Sequence, residues 1–423
     1  MKRQRSILTA LTCLVKRSYC DAFHVPNQQN HALNHVATFL RRPCAFTQFM
    51  SFVHRTNALS ASNQNGIHTA THHGNSISER TVQDSLLNNV GGQDKVTVFN
   101  ILQATISLLE AYEAPEPMES TCHLLAFTLK NEFKWEDNGF SILFDLLEGK
   151  SRGQYLKDVI LTSDELNAFS NMIARRIDKE PLQYIIGQWD FHNILLKIRS
   201  PCLCPRPETE ELVEYALSDI RRMIRDLRSQ NNPRKVRVLD VGCGTGAIGI
   251  AILNMFPQDV SVVAIDVAQV AVDLSRENAN FVLGSPQESC DYKVVLRSTR
   301  DFEPKEMDFD EFDIVVSNPP YIPSRDMSTL SEDVLDFEDY NALCGGDDGL
   351  DVVRDILRQL PQWCQNQNAN EKPFHSTCWM ELDSSHPSIM SLLVENYPGV
   401  SFVQSLKDMS GLDRFVQVEV LSK

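Results

Sequence analysis

The chain has 423 residues and 11 cysteines, but no two of these cysteines stand in the spacing Cys-x-x-Cys. The two closest, Cys202 and Cys204, have no cluster of histidines beside them. Zinc ribbons and disulfide frameworks depend on characteristic cysteine spacings, so the sequence supports neither of them. We therefore expect reduced thiols and no bound metal.

A long hydrophobic run is also missing near the start of the chain. The longest uncharged apolar stretch there, Ser6 to Val15, has about half of the roughly 20 residues that a membrane-spanning helix requires. Hydrophobic residues make up 42% of the chain and aromatic residues 8%, which is ordinary for globular proteins and excludes collagen, a coiled coil and disorder of the whole chain. We expect a soluble or peripheral protein with enough chain for two domains.

Acidic residues are almost absent from the first 75 residues, which contain eight Lys and Arg but only Asp21 as an acid. The remaining residues carry 32 Lys and Arg against 55 Asp and Glu, a balance of −23. A basic, acid-poor start rich in Ser, Thr, Asn and His is typical of an organellar targeting peptide, although a disordered tail has a similar composition. We predict a targeting peptide and disordered segment over residues 1–92, addressed to the mitochondrion. A plastid stays open as the alternative, because Ala22-Phe23 after the apolar stretch fits a signal peptide followed by a transit peptide.

Apolar residues recur at intervals of three and four between Val96 and Ile186, which predicts amphipathic helices. We predict a small helical bundle over residues 93–183, followed by a linker over 184–206 with strands or a hairpin from Tyr184 onward.

From residue 207 to residue 423, β-forming runs alternate with helical stretches. Val236 to Asp240, Ser261 to Asp266 and Asp313 to Ser317 are three such runs. This alternation predicts an α/β domain with a mostly parallel sheet and helices on both faces. Ligands of such sheets bind at the carboxyl ends of the strands, so the candidate site is expected there.

A glycine-rich turn follows the first of these strands, and Asp266 ends the next one. Closely spaced glycines let a ligand approach the amino end of a helix, and an acid at the next strand end accepts hydrogen bonds from ribose hydroxyls. On this turn alone NAD and S-adenosylmethionine compete, because residues 244–249 also satisfy the dinucleotide pattern G-x-G-x-x-G. The acid at Asp240 favours a ligand with a positively charged amino acid portion. We therefore predict an S-adenosylmethionine site formed by Asp240, Gly242, Gly244, Thr245, Gly246, Asp266 and Asn318.

The tetrapeptide Asn318-Pro319-Pro320-Tyr321 follows the strand that ends at Ser317. Two consecutive prolines remove two backbone donors and stop the strand, which leaves carbonyl groups free. The side-chain carbonyl of Asn318 and the backbone carbonyl of Pro319 are suited to accept hydrogen bonds from an NH₂ group, and Tyr321 offers a flat face for stacking. Such contacts direct a poorly nucleophilic planar nitrogen at the methyl group of a sulfonium. We predict Asn318, Pro319 and Tyr321 as catalytic residues and the whole tetrapeptide as the substrate-binding site.

Over about residues 161–423 the chain resembles the HemK/PrmC protein-glutamine methyltransferases. The resemblance rests on residues 180–187, Pro205-Arg206-Pro207-Glu208-Thr209-Glu210, the glycine-rich turn, residues 318–322, Asp348-Gly349-Leu350 and residues 411–415. It implies a Rossmann-like class I S-adenosylmethionine-dependent methyltransferase domain preceded by a small α-helical bundle that docks the substrate. It also implies methyl transfer to the glutamine amide nitrogen in the Gly-Gly-Gln motif of a class 1 peptide chain release factor, here an organellar one. A residue in the region 298–303 is expected near the adenine.

Three other functions stay open at this point. An adenine-amino methyltransferase acting on DNA or RNA would use the same tetrapeptide, but a balance of −23 disfavours a nucleic-acid partner. A catalytically silent cofactor-binding scaffold is expected to carry a damaged tetrapeptide, and an NAD-dependent oxidoreductase has no use for one. We expect a monomer that acts on a protein substrate and has no membrane partner.

Overall fold

A computed structural model describes residues 77–89, 96–130, 139–284, 291–307, 311–364 and 375–421. Residues 1–76, which contain most of the predicted targeting peptide, lie outside these ranges. All elements below belong to one unit, Asn75–Lys423, and are numbered in chain order within the described residues.

A helical bundle forms the first part of the described chain, as the spacing of apolar residues predicts. Its helices are α1 Glu79–Asn89, α2 Val98–Ala111, α3 Pro117–Thr128, α4 Gly139–Leu147 and α5 Ser163–Ile177, and a 3₁₀ turn covers Ser151–Leu156. Side chains one or two turns apart, such as Phe169 and Ile173 of α5 or Ile101 and Leu108 of α2, are buried in a shared apolar core.

Helix α1 lies inside the segment 1–92 that the sequence predicts to be disordered, so that prediction is wrong for residues 79–89. Val82 and Leu86, one helical turn apart, are buried in the core of the bundle. Nε2 of Gln83 donates to Oδ1 of Asn167 on α5 at 2.9 Å. Because only two side chains of this polar helix are buried, its apolar stripe is too narrow to stand out in the sequence.

The linker after the bundle contains a short helix and a hairpin. Helix α6 is Leu182–Ile186, and strand β1 Gln188–Phe191 pairs antiparallel with β2 Ile194–Lys197. The predicted hairpin is therefore present, but Tyr184 and Ile185 are helical rather than extended. Their side chains are buried in two different apolar cores, Ile185 in that of the bundle and Tyr184 in that of the sheet domain. Gly187, at φ +74°, ends this helix.

The remaining chain is the α/β domain that the alternation predicts. Its strands are β3 Val236–Val241, β4 Val260–Asp266, β5 Tyr292–Leu296, β6 Ile314–Ser317, β7 Ser376–Glu381, β8 Val400–Lys407 and β9 Asp413–Val420. Its helices are α7 Pro207–Ser229, α8 Ala247–Met255, α9 Gln269–Leu283, α10 Glu332–Leu335, α11 Tyr340–Leu343, α12 Asp351–Cys364 and α13 Pro387–Val394. The sheet order is β5-β4-β3-β6-β7-β9-β8, parallel from β5 to β7, with β9 antiparallel to both of its neighbours.

Successive side chains of the central strands point to opposite faces of this sheet, and each face has its own apolar core. On β3, Val236 and Val238 belong to one core, whereas Leu239 and Val241 belong to the other. Both faces are therefore covered, which explains the near-continuous apolar runs of these strands. None of the helices in the described ranges combines the length and the apolar character needed to cross a membrane.

Candidate functional site

A cavity of about 190 Å³ lies at the carboxyl ends of β3, β4 and β6. The chain leaves β3 towards β4 on one side of the sheet and later returns to β6 on the other side. Such a reversal of strand order opens a crevice above the sheet, which is where open α/β sheets bind their ligands. Its walls are formed by the turn after β3, the end of β4, the segment after β6, the linker before α7 and residues 339–342.

Two glycines shape the floor of this cavity. Gly242 and Gly244 have φ of +71° and +54°, a region that L side chains rarely adopt. A Cβ atom at either position would meet nothing within 4 Å, and both glycines line the cavity. The predicted residues Gly242, Gly244 and Thr245 therefore lie together at the cavity, where they leave room for a bound molecule close to the backbone.

Gly246 belongs to the same turn but does not line the cavity, so its contact with the cofactor stays a prediction. It also has a positive φ, +82°, and a Cβ atom there would lie 2.6 Å from Oγ of Ser275 and 2.9 Å from the hydroxyl of Tyr292. Gly246 is thus required for close packing of the turn against α9 and β5.

Asp266 lies at the cavity edge with its carboxylate fixed by the backbone. Its Oδ2 accepts the N–H of Gly244 and its Oδ1 accepts the N–H of Ala268, each at 2.9 Å. Each carboxylate oxygen retains a further lone pair, so this group can still accept hydrogen bonds from two hydroxyls. Burial raises the pKa of Asp266 above its ordinary value, against the lowering effect of the two N–H groups.

Asp240 does not line the cavity, so its contact with the cofactor stays a prediction. It shares the face of β3 that carries Val236 and Val238, so its side chain lies beneath α8, where Oδ2 accepts the N–H of Gly249 at 2.9 Å. Its Oδ1 has no hydrogen-bond partner within the described residues. Burial raises the pKa of Asp240 to about 7. The acid therefore stabilises the turn and the start of α8 from below.

Asn318, Pro319 and Pro320 form the opposite wall of the cavity, as predicted from the tetrapeptide. Nδ2 of Asn318 donates to Oγ1 of Thr209 at 3.1 Å. Tyr321 does not line the cavity. Burial raises the pKa of its phenol; among charged groups, Glu381 raises this pKa most and Arg414 lowers it most. Its proposed stacking on a substrate stays a prediction.

Further residues line the cavity that the sequence argument did not assign to the site. They are Arg206, Thr209, Arg297, Thr299, Asp339 and Asn341, among others. Thr299 falls in the region 298–303 that the family resemblance places near the adenine. Arg206 donates through Nη2 to both carboxylate oxygens of the buried Glu338 at 2.7 Å. The Pro-Arg-Pro-Glu-Thr motif indicates the start of a helix. Its contact with Asn318, through Thr209, is not visible in the sequence because the two residues are 109 positions apart.

The segment that carries the tetrapeptide is closely packed against Gly349, which has φ +79°. A Cβ atom at this glycine would lie well inside the van der Waals contact distance to the Tyr321 carbonyl oxygen and 2.8 Å from Cε1 of His386. We expect Gly349→Ala to cost about 3 to 5 kcal/mol of stability, through backbone strain and overpacking. That corresponds to a fall of about 10 °C in the midpoint of thermal unfolding.

Gly411→Ala is the matched control for this substitution. Gly411 has nearly the same φ, +81°, but nothing lies within 4 Å of its Cβ position. Only the strain of about 1 to 2 kcal/mol remains, so we expect a fall of about 3 °C. Equal shifts for the two variants would show that the packing against Tyr321 is unimportant.

Family models match two parts of the chain. The model described as Methyltransferase small domain matches residues 221–335, and the model described as PrmC N-terminal domain matches residues 142–187. Among curated proteins, the human MTRF1L release factor glutamine methyltransferase is 32% identical over 260 residues, which cover 61% of this chain and 72% of that protein. The release factor glutamine methyltransferase of Streptococcus pneumoniae is 31% identical over 62% of this chain and 84% of its own length. The release factor glutamine methyltransferase of Bacillus anthracis is 32% identical over 62% of this chain and 83% of its own length.

The fold, the cavity and the matching domain define an S-adenosylmethionine-dependent methyltransferase. Methyl transfer rather than hydride transfer is thus the chemistry of this class. The chain belongs to the release factor glutamine methyltransferase family.

The residues present fit S-adenosylmethionine. The two glycines leave space beside the backbone, Asp266 presents a carboxylate for ribose hydroxyls, and Val270 and Ala271 add apolar wall. Among the residues that the structure describes, no group of three or more His, Cys, Asp or Glu is arranged to hold a metal ion.

Proposed function

We propose that this chain transfers a methyl group from S-adenosylmethionine to the side-chain amide nitrogen of the glutamine in the Gly-Gly-Gln motif of a class 1, organellar peptide chain release factor. The names of its relatives support a release factor as substrate. The observation that carries the proposal is that Asn318 and Pro319 line the same cavity as Gly242, Gly244 and Asp266. A group that accepts hydrogen bonds from an amide NH₂ therefore faces the place where the cofactor fits.

In the proposed mechanism the chain's residues position two reactants. When bound, S-adenosylmethionine supplies a methyl group on a positively charged sulfur. Asp266 and the glycine turn hold the cofactor's ribose and amino acid portion. Oδ1 of Asn318 and the carbonyl oxygen of Pro319 each accept one hydrogen of the glutamine NH₂, which orients the nitrogen towards the methyl group.

These acceptors also act on the electronics of the nitrogen. Its lone pair is delocalised into the amide carbonyl, and positive charge develops on it as the new N–C bond forms. The bond between the methyl carbon and the sulfur would break at the same time, and its electron pair would stay on the sulfur, which becomes a neutral thioether. The partial negative charges on the Asn318 and Pro319 oxygens stabilise the charge on the nitrogen, and one N–H proton is afterwards lost to solvent. Fixed dipoles and orientation of this kind are large contributions to catalysis, so the proposed mechanism requires no strong general base before attack.

Transfer of labelled methyl from S-adenosylmethionine to a purified organellar release factor tests this proposal. We expect label on the wild-type factor, at the Gly-Gly-Gln glutamine by mass spectrometry, and none on a factor with that glutamine replaced by alanine. Duplex DNA serves as the second substrate. Label on DNA instead would assign the tetrapeptide to adenine, and tight cofactor binding without any transfer would indicate a silent scaffold.

We also propose that the helical bundle docks the release factor and that the enzyme acts in the mitochondrion as a monomer. The acid-poor composition of residues 1–75 supports a mitochondrial location. The full chain fused at its carboxyl end to a fluorescent protein should enter mitochondria, and the same fusion without residues 1–76 should not. Accumulation in a plastid would select the alternative, and light scattering of the purified enzyme would determine its oligomeric state.

A further inference from the structure

Asn318 is held by a chain of hydrogen bonds whose members come from three distant parts of the sequence. Nδ2 of Asn318 donates to Oγ1 of Thr209 at 3.1 Å, and Oγ1 of Thr209 donates to Oε2 of Glu381 at 2.7 Å. Thr209 stands in the first turn of α7 and Glu381 at the end of β7. Thr209 is 4% exposed and Glu381 is 1% exposed, so water has little access to the bond between these two side chains.

Counting hydrogens shows what this chain of bonds decides. A threonine hydroxyl has one hydrogen, and an ionised carboxylate can only accept. With its hydrogen committed to Glu381, the Thr209 oxygen can only accept from Asn318. The two ends of an asparagine amide have nearly the same shape, so the hydrogen-bond network determines which end faces which neighbour. Here it turns the NH₂ of Asn318 to Thr209 and leaves Oδ1 for the cavity.

We propose that Thr209 and Glu381 are positioning residues that set the amide orientation of Asn318, so that a carbonyl oxygen and not an NH₂ group meets the substrate amide. This inference rests on the proposed function, in which Asn318 accepts from the glutamine NH₂. The reversed orientation would place two NH₂ groups against each other, and neither can accept a hydrogen bond from the other.

The protonation of Glu381 controls this arrangement. The pKa of Glu381 is raised to about 7, mainly by burial. The hydrogen bond from Thr209 and the positive charges of Arg414 and Arg206 oppose this rise. The charged and titratable groups that face it are Arg414 of β9, Arg206 of the linker, Glu208 and Glu211 of α7, and Tyr321. A protonated Glu381 can donate to Thr209, whose own hydrogen is then released to bind Oδ1 of Asn318. Activity should therefore fall as the pH falls through about 7.

The test compares Thr209→Val, Thr209→Ser and wild type in the full chain. Valine keeps the shape of threonine but removes the hydroxyl, whereas serine keeps the hydroxyl. We expect Thr209→Val to lower kcat about 100-fold, as for small misplacements of a reacting group, with the dissociation constant of S-adenosylmethionine within about threefold of wild type. Thr209→Ser should recover kcat to within about fivefold of wild type, since the hydroxyl alone decides the orientation.

Thr377→Val is the matched control, because it makes the same change at another buried threonine, on the same strand as Glu381. It should leave kcat unchanged. The profile of kcat/KM against pH is a further readout: wild type should lose activity below about pH 7, and Thr209→Val should show no such limb. Unchanged kcat in Thr209→Val, failure of serine to rescue, or an equal loss in Thr377→Val would each overturn the proposal.

A spectroscopic measurement keeps this inference separate from the proposed function. In full chain labelled with ¹⁵N-asparagine, the side-chain NH₂ signals of Asn318, assigned by their absence in Asn318→Ala, should shift with pH around 7 in wild type and not in Thr209→Val. This requires no substrate. If the release factor is not methylated by wild type, the proposed function fails, while the NMR titration still decides whether Glu381 and Thr209 control the Asn318 amide.

Discussion

Asn318→Ala is expected to lower kcat by about 10²- to 10³-fold while the affinity for S-adenosylmethionine changes by no more than about threefold. The substitution removes an acceptor that acts mainly when the nitrogen develops positive charge, so the loss falls on the transition state rather than on cofactor binding. Gly244 and Asp266, the proposed cofactor contacts, lie on the opposite wall of the cavity and are held by their own hydrogen bond.

This result is measured by steady-state methylation of the release factor together with calorimetric titration of S-adenosylmethionine. Asn396→Ala is the matched control, because Asn396 is exposed and bonds only locally, to the carbonyls of Leu392 and Leu393. It should leave both quantities unchanged. A parallel loss of affinity and turnover in Asn318→Ala would contradict the role of Asn318 as acceptor of the substrate amide.

Asp266→Ala should have the opposite signature, a rise of about 100-fold in the dissociation constant of S-adenosylmethionine. Hydrogen bonds to a charged group contribute about 1.5 to 3 kcal/mol each, and the substitution removes an acceptor for two ribose hydroxyls. It also releases the N–H groups of Gly244 and Ala268, which loosens the glycine turn. Turnover at saturating cofactor should fall far less than in Asn318→Ala.

Calorimetry of the purified variant is the measurement, with Asp273→Ala as its control. Asp273 is exposed on α9 and interacts with Arg276 and Gln269 on the same helix. Its loss should leave cofactor affinity within about twofold of wild type. An unchanged dissociation constant in Asp266→Ala would refute the contact between this carboxylate and the ribose.

The two substitutions separate the two halves of the site. One wall of the cavity is the turn after β3 with the end of β4, and the other is the segment after β6. Each wall is stabilised by its own bonds, Asp266 to Gly244 in the first and Asn318 to Thr209 in the second. Effects on cofactor affinity and on turnover are therefore expected to be independent.

Much of the fold follows from local pattern. Each of the three predicted strands ends within one residue of its observed bounds, because buried parallel strands are apolar on both faces and stand out as continuous runs. Helix α1 does not stand out in the sequence because just two of its side chains, Val82 and Leu86, are buried. The predicted extended conformation of Tyr184 and Ile185 is wrong because a short helix buried on two sides has the composition of a strand.

The class of chemistry follows from local features of the sequence. Glycines that permit positive φ, an acid at a strand end and an Asn-Pro-Pro-Tyr segment each have local conformational or chemical consequences that do not depend on the rest of the chain. Together they predict S-adenosylmethionine as the cofactor, a substrate-binding role for the tetrapeptide, and a site at the carboxyl ends of the strands.

Which side chains reach the cavity, and how they are oriented, depends on the packing of distant parts of the chain. Asp240 and Asp266 both end or nearly end a strand and share a face of the sheet, yet one bonds beneath α8 and the other lies at the cavity edge. Asp240 pairs with Ala264, two residues before Asp266, so it lies deeper along the strand direction than Asp266 does. The bonds from Asn318 to Thr209 and from Thr209 to Glu381 span 109 and 172 residues of sequence. Orientation of the Asn318 amide depends on such distant partners, which meet only when the strands and α7 have packed.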